Sequence, residues 1–127
     1  MVYRLNVGGK EYPLEMTVEA FLDISDLCPD GDFSRLNDVQ DYPTRQRIEI
    51  SAKMLAALSR GAEDSRAVRD PEYKPDPLTA SQLLALPLEE FLKIYNGMMT
   101  IMKQVSGSPT VETAQKKTKN EKVKTSG

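Results

Sequence analysis

The residues able to do chemistry in this chain are few, and their absences are informative. Histidine does not occur in the 127 residues, and cysteine occurs once, as Cys28. That removes Ser-His-Asp and Cys-His constellations, histidine metal ligands, cysteine-only zinc sites and any disulfide within the chain. Neither a phosphate-cradling GxxxxGK[ST] nor a GxGxxG is present. Carboxylates number 19, and the pair with the most suggestive spacing is Asp30 and Asp32 in "PDGDF". Calcium would want that spacing, but the EF-hand pattern is not continued after it, and Pro-Asp-Gly-Asp is strong turn punctuation. Cys28 has Asp23, Asp26, Asp30 and Asp32 for neighbours, an anionic surround that disfavours a thiolate. It reads as a small core residue. The expectation is no enzyme, no cofactor and no metal.

Binding is the chemistry that remains. Three of the six methionines are Met98, Met99 and Met102, beside Gly97. Methionine is flexible and polarizable, suited either to irregular core gaps or to surfaces that accept several shapes. Ile94, Met98 and Ile101, beside the main stripe of the helix that carries them, make its apolar face unusually wide. Either the methionines fill a core lined by irregular helices, or the face exceeds what its own domain can cover and needs a partner. For that partner Tyr95, Met98, Met99 and Met102 are the candidate surface. The second candidate is the end of the chain. From Pro109 on there are five lysines and two glutamates, and no Leu, Ile, Phe, Tyr or Trp, so that segment is +3. The net charge of −2 then leaves −5 for the rest. An acidic body predicts no nucleic-acid partner, because such binding rests on Lys and Arg neutralising phosphates. The N-terminus "MVYRLNVGGKEY" lacks the apolar core of a secretory signal, and no run is long enough to cross a bilayer. A soluble, cytoplasmic protein is expected.

The elements that must position these residues follow from periodicity. "YRLNV" and "EYPLEM" alternate apolar and polar residues around Gly8-Gly9, where a two-residue hairpin turn wants positive φ. That register sets Leu5 opposite Tyr12 and Tyr3 opposite Leu14, and Pro13 marks an edge strand. Thr17 is suited to cap a helix whose stripe is Val18, Phe21, Leu22, Ile24 and Leu27. Phe33, Leu36 and Val39 suggest a short helical turn. A long helix is predicted over 44–66, with Ile48, Ile50, Ala52, Met54, Leu55 and Leu58 inward and Gly61 at its C-terminal end. Pro71, Pro75 and Pro77 predict an extended surface crossing. Thr79 and Gln82 form a capping box, and Pro87 heads a last long helix with Leu88, Phe91, Leu92, Tyr95, Met99, Met102 and Val105 as its main stripe. The fold class is α+β: an N-terminal β-hairpin packed on a small bundle of three to five helices. Residues 1–106 form one domain, and 107–127 is a polar basic tail whose composition does not support folding.

Taken together, "YRLNVGGKEYPLEMTVEAFLDISDLC", "MLAALSRGAED" and "LTASQLLALPLEEFLKIYNGMMTIMKQ" resemble tail assembly chaperones of long-tailed phages and prophages. The resemblance covers most of the chain and lies in the order of elements, with no catalytic motif. It implies a non-enzymatic protein of the bacterial host cytoplasm that is absent from the mature virion. Such a protein binds the tape measure protein, keeps it soluble, promotes assembly of the tail tube protein around it, and tends to self-associate. It also implies a longer product made by ribosomal frameshifting, for which Gln115, Lys116 and Lys117 are the candidate joint. The competing readings are a head–tail connector or neck subunit, which would stay in the particle, and a small cytoplasmic adaptor. A nucleic-acid-binding regulator using the lysine tail is disfavoured by the acidic body.

Overall fold

The computed structural model describes residues 2–106. Strands β1 (Val2–Val7) and β2 (Lys10–Glu15) form an antiparallel hairpin. Gly8 and Gly9 turn it with φ of 59° and 84°. Those values are the left-handed pair that matches strand twist in a two-residue turn, and they fall to glycine. Leu5 faces Tyr12 and Tyr3 faces Leu14, as the alternation predicts. Leu5, Val7 and Leu14 are buried, so one face of the hairpin covers helices. Together with the helices that follow, this makes the fold α+β.

Helix α1 (Val18–Leu27) starts at Thr17, whose hydroxyl accepts a hydrogen bond from Ala20 N at 3.2 Å. Two 3-10 segments follow, Pro29–Gly31 and Phe33–Asp41, and lead to helix α2 (Thr44–Arg69). At 26 residues α2 is about 39 Å long. It is the axis of the molecule: β2, α1 and the short α3 (Ala80–Leu84) all pack on it. Helices α4 (Leu88–Asn96) and α5 (Met98–Ser106) complete the order, with α5 lying against β1.

Three sequence expectations are corrected. Gly61 does not end α2 but lies inside it. A Cβ there would sit 2.7 Å from Thr17 Oγ1 and 2.8 Å from the Glu15 carbonyl oxygen. Glycine is present because the β2–α1 turn approaches the helix this closely, which is a packing demand and not a capping one. The stripe of α1 is also rotated from the expected one. Ala20, Ile24 and Cys28 face inward, while Val18, Phe21 and Leu22 are 79%, 42% and 57% exposed. The close approach at Gly61 selects the small-residue face of α1, and Phe21 instead rests on Phe33 with ring centroids 4.8 Å apart.

The third correction concerns the last helix, which is two. Gly97 N donates to the Ile94 carbonyl at 2.9 Å, a 3-10 closure that ends α4, and α5 starts at the next residue. The inward positions are Phe91, Ile94, Ile101 and Val105, with Met98 partly buried between them. Leu88, Leu92 and Met99, assigned to the main stripe, lie outside.

Between α2 and α3 the proline-rich crossing is pinned by polar side chains buried in α2. Glu63 Oε1 accepts from the Tyr73 hydroxyl and, at 2.9 Å, from Asp76 N. Ser59 Oγ accepts from Leu78 N at 2.8 Å. These bonds answer backbone groups that an extended segment cannot pair by itself. Among the described residues no helix is long and apolar enough to cross a membrane.

Candidate binding groove

Tyr95, Met98, Met99 and Met102 all line one groove of about 290 Å³. Its walls are the Phe33–Asp41 segment, the beginning of α2, the end of α4 and the first half of α5. The break at Gly97 sets Tyr95 at the end of one helix and the methionines at the start of the next, so they reach one cleft from two directions. Tyr95, Met98 and Met102 are half-buried against the core, whereas Met99 is 60% exposed. Opposite them stand Leu36 and Val39, with Met54 from α2. Four of the chain's six methionines therefore meet at this cleft. Met54 was expected in the core, where it also contributes.

The sequence reading missed Arg47. It is the one charged residue among the described residues lining the groove. Its Nη2 donates to Thr44 Oγ1 at 3.1 Å, but its Nε is buried with no hydrogen-bond partner among the described residues. A buried donor left unpaired costs about 1–3 kcal/mol. Arg47 also belongs to the first turns of α2, whose start has no acidic residue and no side-chain cap. The positive end of the helix dipole makes a cation unfavourable there and an anion favourable. An arginine at a helix start with no acid to offset it was the available signal.

The remaining candidates fall elsewhere. Asp30 takes a left-handed φ of 60° and pairs with Arg35. Asp32 Oδ1 accepts from Ser34 N at 3.0 Å and Ser34 Oγ at 2.8 Å, bonds that hold its carboxyl below the usual aspartate range. Both carboxylates thus serve the turn between α1 and the 3-10 segments. Among the described residues no three metal-ligating side chains gather. The Cys28 thiol is buried and donates to the Ile24 carbonyl at 3.3 Å. Burial pushes its pKa up, and the Asp32 charge adds to the effect. Both favour an unreactive neutral thiol. Gln115, Lys116 and Lys117 lie outside the described residues.

A wider, shallow depression of about 900 Å³ runs beside Phe21, Leu22 and Phe33 on the other side of the 3-10 segment. It lacks the convergence of apolar and unpaired polar groups found at the methionine cleft. The cleft can accept apolar side chains of varied shape and one acceptor group beside them. Comparison of the chain with protein-family models, with curated proteins and with solved structures finds no match to any of them.

Proposed function

We propose that this protein is a phage tail assembly chaperone that binds the tape measure protein, keeps it soluble and promotes tail tube assembly. The observation that carries the reading is the methionine groove, an adaptable apolar surface on an otherwise acidic body. A long apolar client with many similar segments needs a site tolerant of side-chain shape, and methionine supplies that tolerance. The resemblance of residues 3–28, 54–64 and 78–104 to such chaperones names the client. On this reading the protein acts without catalysis in the bacterial cytoplasm, self-associates, and leaves before the virion is mature. Residues 107–127 are then a joint at which a longer product departs from this reading frame.

Coexpression with the tape measure protein encoded in the same genome tests the role. The expected result is a soluble complex of the two, where the tape measure protein expressed alone is insoluble. A client that stays in the pellet overturns the reading. Expression from the native DNA with its downstream region tests the joint separately. A minor longer product is expected, and it should vanish when the codons of Lys116 and Lys117 are changed synonymously.

A further inference from the structure

The chemistry of the groove says more than that it is apolar. It is walled by helical and 3-10 segments and offers no free strand edge, so an occupant cannot add to it as a strand. Its volume of about 290 Å³ is room for a few side chains and not for a domain. A segment seated there must satisfy its own backbone hydrogen bonds, as a helix does. It must also supply what Arg47 lacks. That residue is the one charged side chain among the described residues lining the cleft, no carboxylate of the described residues pairs with its guanidinium, and it stands at an uncapped helix start where negative charge is favoured.

We infer that the groove takes an amphipathic helix of a partner protein, one that presents large apolar side chains to Met98, Met99 and Met102 and a carboxylate to Arg47. The inference rests on the reading of this groove as a binding surface and specifies the segment it reads. Apolar residues of the partner helix, three and four apart, enter between α5 and the Phe33–Asp41 segment. An Asp or Glu at the edge of that face accepts from Arg47. The methionines supply tolerance for the apolar shape, and the arginine supplies orientation, because a helix inserted in reverse would present no acceptor there. Residues 107–127 fit the site poorly, having Val111 and Val123 as their only large apolar side chains.

The test selects peptides about four helical turns long from a random display library against the full chain. Selected peptides should share apolar residues at helical spacing and an enriched Asp or Glu beside them. Met99→Glu, at an exposed position, should weaken them at least tenfold while leaving the circular dichroism spectrum and melting temperature unchanged. Arg47→Gln should weaken acidic peptides about tenfold, and should not change the affinity of the same peptides with Glu→Gln, which is the coupling a double-mutant cycle isolates. Recovering no binders, binders without acidic enrichment, or binders indifferent to both variants would overturn the inference. So would a deletion of 107–127 that raises peptide affinity tenfold, which gives the groove to the chain's own end. A Met99→Glu variant of altered molecular mass in light scattering assigns it to a second copy, with the same consequence. If groove-binding peptides are found but the tape measure protein stays insoluble, the chaperone reading fails alone. If that protein is held soluble equally by both variants, the groove assignment fails alone.

Discussion

At the scale of single residues, the molecule is governed by a few side chains that must be what they are. Gly61 is the sharpest case. Alanine has the higher helix propensity by about 1 kcal/mol. Here, however, its Cβ would meet the Glu15 carbonyl and the capping hydroxyl of Thr17 inside van der Waals contact. Gly61→Ala is expected to destabilise by about 1–3 kcal/mol, the usual range for overpacking, as read from urea denaturation midpoints. Tyr73 gives a pH signature. Its hydrogen bond to the Glu63 carboxylate, with some desolvation, raises the hydroxyl's pKa above the ordinary value of 10.0. The folded state therefore holds that proton more tightly than the unfolded state. The contribution is fully present below pH 10 and is lost as pH rises through the folded-state value. Denaturation midpoints followed into that range should fall for the natural chain, and Tyr73→Phe should reduce the slope.

At the scale of elements, much was legible, and the misses share a cause. The hairpin, its register, the Thr17 cap and the Thr79–Gln82 capping box are local: a handful of adjacent residues determines each. What was not legible depends on the distance between elements. The phase of α1 and the place of Gly61 follow from how closely β2 and α1 approach α2, which no residue of α1 declares by itself. The side chains that pin the crossing carried a signal, since Ser59 and Glu63 stand four apart on an otherwise apolar helix face. At the groove, the methionines and Tyr95 were readable from composition, while Leu36, Val39 and Arg47 arrive from segments far away in sequence. Gly97 contrasts with Gly61. A Cβ there would find its nearest neighbour, the Ile94 carbonyl oxygen, at 3.5 Å, and its φ of −95° suits any residue. Gly97→Ala is accordingly expected to stabilise by about 0.4–1 kcal/mol, by restricting the unfolded chain, with a matching rise in melting temperature.

At the scale of the whole molecule, the elements are not held equally. Helix α2 is gripped by the hairpin, α1, the pinned crossing and α3, so freeing any part of its middle requires all of them to let go. Helices α4 and α5 are fastened to each other, α5 also to β1, and their core contribution rests on Phe91, Ile94, Ile101 and Val105. The contrast has a consequence for amide hydrogen exchange. Amides in the middle of α2 should exchange only through global unfolding, and their protection should equal the full stability of the domain. Amides of α4 and α5 should exchange through a partial opening, at least about tenfold faster, or ~1.4 kcal/mol less protected. Mass spectrometry of deuterium uptake checks this directly, and equal protection across α2, α4 and α5 would contradict it. Because Gly97 joins the two outer helices through a single residue, that opening would carry one wall of the methionine groove with it. If that opening is observed, the cleft should widen and narrow as a thermal fluctuation of the native state, and a bound helix should register as slowed exchange in α5 before it registers as a change of shape.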